Sequence, residues 1–217
     1  MGESQTDTPI LGPGYADAFV MAAEVHARQL RKGSQVPYLA HLMAVSALVL
    51  EYGGDQECAI AALLHDTVED SDDGREMEAR IRERFGDRVA NIVMTCSDAV
   101  AIPGQLKPAW HGRKQRYIDV LETADHDALL VSACDKLHNA RAVLGDLRVY
   151  GDTLWQRFST RSGPDQVWYY QSVADVFSRR MPGPLADELQ RVVGKVTQIE
   201  LASRPRGSEA PSTADRE

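Results

Sequence analysis

The chain has 217 residues, 43% hydrophobic and 26% charged, with a net charge of −8, which fits one folded domain with short extensions. That acidic balance excludes general nucleic-acid binding, which needs a basic face. The longest nearly apolar run, LMAVSALVL, is too short to cross a bilayer, so no membrane partner is expected.

Residues 1–13 are polar and rich in glycine and proline and read as a flexible lead-in without the basic start or apolar core of a signal peptide. From Tyr15 the pattern is helical, with Tyr15, Phe19, Ala22, Ala23, His26 and Leu30 recurring at steps of three and four. RKGSQVPY (31–38) breaks this helix, and a second over 41–51 stops at Gly53-Gly54. QECAIAALLHDTVED (56–70) reads as one continuous helix. After SDDG comes a long helix with Met77, Ile81, Phe85, Val89, Ile92 and Val93 on one stripe. AVAIPGQLKPAW is a loop. RKQRYIDVLETA and HDALLVSACDKLHNARAVL are helices, RFSTRSGPDQ a loop, and WYYQSVADVFSRRM and PLADELQRVVGKVTQIEL the last helices. RPRGSEAPSTADRE is expected to be a disordered tail over 202–217. The expectation is therefore an all-α domain over 14–201 with seven or more helices. The odd set Cys58, Cys96 and Cys134 forms no CxxC pair, which points to buried thiols in a reducing, cytoplasmic setting.

The chemistry concentrates in ALLHDTVED. On a continuous helix His65, Asp66, Glu69 and Asp70 fall within an arc of roughly 140°. An imidazole and three carboxylates behind an apolar run form a costly cluster that a divalent cation would relieve. His41 follows PYLA, and Asp135 follows LLVSAC. Both stand at the polar edge of apolar segments and are candidates for the remaining ligands.

His41, His65-Asp66 and Asp135 in this order resemble the ligand set of the HD metal-dependent phosphohydrolase superfamily. RKGSQVPYLAH, ALLHDTVED, FGDRVANIVMTCSD and CDKLHNAR narrow the likeness to the hydrolase domain of the RelA/SpoT family, in its stand-alone small alarmone hydrolase form. That resemblance implies hydrolysis of the 3′-pyrophosphate of ppGpp and pppGpp to GDP or GTP and pyrophosphate. It implies His41, His65, Asp66 and Asp135 as ligands of one Mn²⁺, with Glu69 and Asp70 handling the attacking water. It also implies Arg31 and Lys32 for the base and nearby phosphates, Asn139 for the nucleoside, and Tyr169 as part of the lining of the nucleotide site. Histidine and carboxylate ligands alone leave Fe, Zn and Mg open, and the sequence sets no oligomeric state.

Departures from the family pattern are Leu42, where His-Pro is common, Ala142, where Thr or Asp is common, and Gly112, where an acid is common. Ala142 keeps a second reading open, an HD phosphohydrolase for NADPH or a deoxynucleotide. A third is a non-catalytic, nucleotide-binding regulatory HD module. Elsewhere His26 reads as a packed histidine, His138 as a neighbour of the site with no evident partner, and His111 and His126 as exposed. Trp110, Trp155, Trp168 and Tyr170 read as core or rim packing, and RRMPGP and ELQRVVGKV as solvated surface.

Overall fold

The computed structural model describes residues 11–203. Among them lie nine α-helices and one 3₁₀ turn, and the extended pairing is a single isolated bridge between Leu30 and Pro37. The all-α expectation holds. The lead-in 1–13 and the tail 202–217 fall almost wholly outside the described residues. At their inner edges, Pro13 opens the first helix and the last helix runs to Ser203.

Helix α1 (Pro13–Val25) starts on a proline whose fixed φ suits a first turn. It buries Ala18, Met21 and Ala22, whereas Phe19 is 37% exposed and lies off the apolar face. The helix ends before Leu30, earlier than the apolar spacing predicts. Residues 29–38 satisfy their own backbone instead: Arg31 N donates to Val36 O and Tyr38 N to Gln29 O, both at 2.9 Å. This small hairpin presents the RKGS turn. Helix α2 (Leu39–Glu51) starts two residues before His41, and Leu42 is fully buried in it.

Helix α3 (Gln56–Leu64) is capped by Asp55, whose Oδ1 accepts from Cys58 N at 3.0 Å. Every residue from Cys58 to Leu64 is buried. A helix apolar all round belongs at the centre of a fold, and α3 packs against α1, α2, α5 and α7. Helix α4 (Thr67–Asp70) is one short turn, followed by α5 (Gly74–Cys96), which bends where Gly86 takes φ 88°. Met77, Ile81, Val89, Ile92 and Val93 are buried on its inner face, with Phe85 half-buried.

Helices α6 (Trp110–Leu121), α7 (His126–Tyr150), α8 (Gly163–Arg180) and α9 (Pro184–Ser203) complete the bundle, with the 3₁₀ turn Gly151–Arg157 after α7. Helix α8 begins before Trp168, the expected start, because Ser162 Oγ caps it by accepting from Asp165 N at 3.2 Å. The surface reading of ELQRVVGKV is overturned. Leu189, Val192, Val193 and Val196 recur at steps of three and four and are buried where α9 packs on α7 and α8. In RRMPGP, Arg180 turns back to donate to the carbonyls of Leu121 at 3.2 Å and Ala124 at 3.1 Å beyond the end of α6. All three cysteines are free and buried. No helix among the described residues is long and apolar enough to cross a membrane.

The loop between α5 and α6 docks through the start of α5. Gly74 N donates to Ala101 O at 2.9 Å, and Ala101 N to Val68 O at 3.2 Å. A Cβ on Gly74 would lie 2.5 Å from Val68 O and 2.8 Å from Ala101 N, so only glycine permits this approach. Gly74→Ala should cost about 1–3 kcal/mol and lower the melting temperature by several degrees. An unchanged melting temperature would mean that the loop is held elsewhere.

Candidate metal centre and its cleft

The predicted helix over 56–70 is interrupted where the chemistry sits. Helix α3 stops at Leu64, and Asp66 takes φ −100° and ψ −4° before α4 begins. Side chains replace the lost backbone partners. His65 Nδ1 lies 2.7 Å from Ala62 O, and Thr67 Oγ1 donates to Leu64 O at 2.6 Å, which satisfies carbonyls that a helix end leaves open. The continuous 140° patch is therefore replaced by a turn that aims His65 and Asp66 one way and swings Glu69 and Asp70 to its flank.

Four side chains from three places meet at this turn: His41 from α2, His65 and Asp66 from the break, and Asp135 from α7. His41 Nε2 is 3.1 Å from Asp135 Oδ1 and 3.8 Å from Asp66 Oδ2. His65 Nε2 is 3.1 Å from Asp66 Oδ2 and 3.6 Å from Asp135 Oδ1. Both histidines are 1% exposed, yet neither Nε2 has a hydrogen-bond partner of acceptable geometry. Orphaned buried nitrogens facing two carboxylate oxygens fit a divalent cation, and a ligand atom from each of His41, His65 and Asp66 lies within 4.8 Å of the others. Without a cation, protons carry the compensation. Burial works against charge on His65, but Asp66 and Asp135 hold it well above its ordinary pKa. His41, for which burial wins, is lowered. Burial also works to raise Asp135, but Lys136 and the two histidines hold it well below the usual carboxylate range.

The surroundings set the tautomers. The Ala62 carbonyl requires the proton of His65 on Nδ1, which frees Nε2 as a donor of electrons. His41 Nδ1 lies 2.8 Å from Nδ1 of His138. Burial and the neighbouring His41 and Arg31 push His138 down to about 4, so it is neutral and can accept the His41 proton. His138 thus has the partner that the sequence did not suggest. Tyr38, which donates to Asp66 Oδ2, was missed as well. Both stand three residues from a candidate ligand on a helix or at its start, a spacing that places side chains together.

Glu69 and Asp70 flank this centre. Glu69 Oε1 accepts from the Asp98 backbone N–H at 2.6 Å and Oε2 from Lys107 Nζ at 3.3 Å. Burial, Asp98 and Asp66 push Glu69 up to about 7. Asp70 Oδ2 accepts from Gln29 Nε2 at 2.8 Å, and Gln29 Oε1 lies 2.5 Å from His26 Nδ1. His26 is buried and packed, as expected.

A cleft of about 490 Å³ opens over the centre and includes Arg31, Lys32, Asn139, Ala142 and Tyr169 in its lining. Arg31 Nη2 donates to Asn139 Oδ1 at 2.9 Å, and Asn139 Nδ2 donates to Asp135 Oδ1 at 2.5 Å. Asn139 is therefore tied to both the turn and the centre. Trp110 and Tyr170 also line the cleft, whereas His111 and His126 are exposed as expected, with side chains 60% and 74% accessible.

Comparison with known proteins places this geometry. Residues 18–163 match the family model described as HD domain. Over 127 residues the chain is 38% identical to the guanosine-3′,5′-bis(diphosphate) 3′-pyrophosphohydrolase of Aquifex aeolicus, a match covering 58% of this chain and 17% of that protein. Over 128 residues it is 35% identical to the enzyme of that name from Xenopus tropicalis, covering 58% of this chain and 66% of that one. A probable GTP pyrophosphokinase of Mycobacterium leprae is 38% identical over 58% of this chain, and the match spans 15% of its length. The chain thus spans less than a fifth of these long bacterial relatives. The solved structure of a metazoan ortholog of SpoT superposes with a TM-score of 0.68 at 24% identity, covering 87% of this chain and 98% of that one, which shows the fold. The HD-domain match over most of the helical bundle and the convergence of His41, His65-Asp66 and Asp135 have one reading: this chain belongs to the HD-domain family.

Proposed function

We propose that the chain hydrolyses the 3′-pyrophosphate of ppGpp and pppGpp, yielding GDP or GTP and pyrophosphate, with one divalent cation, Mn²⁺, held by His41, His65, Asp66 and Asp135. The observation that carries this reading is the bonded line Arg31–Asn139–Asp135. It joins a cationic turn suited to a purine directly to the candidate metal centre. The printed names of the Aquifex aeolicus and Xenopus tropicalis relatives support the same substrate.

When bound, the cation supplies a lowered pKa for water and polarisation of a phosphoryl oxygen. The chain's own residues do the rest. Glu69, with a pKa near neutrality and two bonds that fix its carboxylate, accepts the proton of the attacking water. Asp70, oriented by Gln29 on the same flank as Glu69, helps to hold that water. Arg31 offers a planar cation that can stack on guanine, while Lys32 is a point charge for phosphate. Lys107, Arg113, Lys114 and Lys136 in the cleft lining draw an anion into a chain that is acidic overall.

Assay of the purified chain with ppGpp should show release of pyrophosphate in one step. Release of single phosphates, or turnover of NADPH or a deoxynucleotide in place of ppGpp, would assign another substrate. Ala142 favours keeping those nucleotides in the panel, since it contributes no polar group to the cleft beside Asn139. Arg31→Ala should raise KM for ppGpp about tenfold or more, because a lost stacking contact costs about 1–3 kcal/mol and about 1.4 kcal/mol is a factor of ten. Turnover should fall less. An unchanged KM would mean that the base is held elsewhere.

A further inference from the structure

Where Lys114 and Lys136 reach the cleft, two hydroxyls have no hydrogen-bond partner within the described residues. Tyr117 is 3% exposed and Tyr169 5%, both line the cleft, and neither phenolic oxygen has a hydrogen-bond partner. Leaving such a group unpaired costs about 1–3 kcal/mol, a penalty that an acceptor in the cleft would remove. Burial holds Tyr117 well above its ordinary pKa, so it is an O–H donor.

Two ammonium groups stand beside these rings. Lys136 Nζ lies 4.7 Å from the Tyr117 ring centre and Lys114 Nζ 4.7 Å from that of Tyr169, and the two rings are 6.5 Å apart. Each ammonium has one carboxylate contact at 2.5 Å, Asp135 for Lys136 and Asp98 for Lys114. An ammonium carries three donors, so both have N–H groups to spare. Asp98 is shared further, since Arg113 Nη1 also reaches it at 2.5 Å. The two lysines repel one another, each within electrostatic reach of Tyr169. Positive charge with spare donors, beside two unpaired hydroxyls, is complementary to a multiply charged anion. These donors come from three helices: Lys114 and Tyr117 from α6, Lys136 from α7 and Tyr169 from α8.

We propose that Lys114, Tyr117, Lys136 and Tyr169 form a diphosphate subsite next to Asp135. In the reading given above, which this deepens, the subsite receives the 3′-diphosphate and afterwards holds the pyrophosphate product. Tyr169, expected in the lining of the nucleotide site, then contacts the phosphate part of the nucleotide.

The probe is inorganic pyrophosphate, titrated calorimetrically into the full chain, with metal content and melting temperature measured for each variant. The wild-type chain should bind it. Tyr117→Phe should weaken binding roughly tenfold or more, as a lost hydrogen bond to a charged group does, at unchanged metal content. Its melting temperature should be unchanged or higher, because the deleted hydroxyl has no partner to lose. Lys136→Gln should weaken pyrophosphate more strongly than Tyr117→Phe at equal metal content. Absence of binding by the wild-type chain, wild-type affinity in Tyr117→Phe, or an affinity loss in Lys136→Gln that only follows metal loss would each overturn the subsite. The nucleotide reading fails separately. A chain that binds pyrophosphate through Tyr117 but leaves ppGpp intact keeps the subsite and loses the alarmone. One that cleaves ppGpp with unaltered pyrophosphate binding in the variants keeps the alarmone and loses the subsite.

Discussion

Replacing Asp66 or His65 with alanine should remove bound metal and ppGpp hydrolysis together. The two contribute Oδ2 and Nε2 atoms 3.1 Å apart in the same buried cluster, so each substitution leaves at most three of the four candidate ligands. Outer partners of metal ligands typically matter by about 10–100-fold, and loss of a direct ligand should exceed that range. A second readout is independent of turnover. A cation that binds only the folded chain stabilises it by about 2.7 kcal/mol at a hundredfold excess over Kd, so added Mn²⁺ should raise the wild-type melting temperature and leave Asp66→Ala unmoved. Full metal occupancy and activity in either variant would sink the assignment of this cluster.

Glu69→Gln should separate chemistry from metal binding. The amide keeps the shape of the side chain, and its oxygen can still accept from Asp98 N–H or Lys107, the two present partners of the carboxylate. What it loses is basicity. Burial, Asp98 and Asp66 place Glu69 at about 7, the range in which a carboxylate is basic enough to take a proton from water and still ionised near neutrality. Turnover should therefore fall by roughly 10²-fold or more, with metal content, folding and KM close to wild type. Normal turnover would transfer the role to Asp70, which Gln29 holds on the same flank. A loss of metal in this variant would instead place Glu69 among the ligands.

Much of this was legible in the sequence because it is local. Apolar spacing marks α2, α3, α5 and α7, since a helix face repeats every three to four residues whatever packs on it. The types and order of His41, His65-Asp66 and Asp135 carry the candidate centre, because imidazole and carboxylate at the ends of apolar runs are costly without a cation. Tertiary structure decided what depends on partners distant in the chain. The break between α3 and α4 exists because His65 and Thr67 side chains take the carbonyls of Ala62 and Leu64, which helical periodicity cannot reveal. Helix α9 is core rather than surface because α7 and α8 cover Leu189, Val192 and Val193. Asp98, Lys107 and His138 acquire their roles from contacts with Glu69 and His41, far from them in the chain. The sequence alone determined which groups would have to be compensated; only packing decided which neighbours compensate them, because burial and charge pairing are properties of position in space, not of order along the chain.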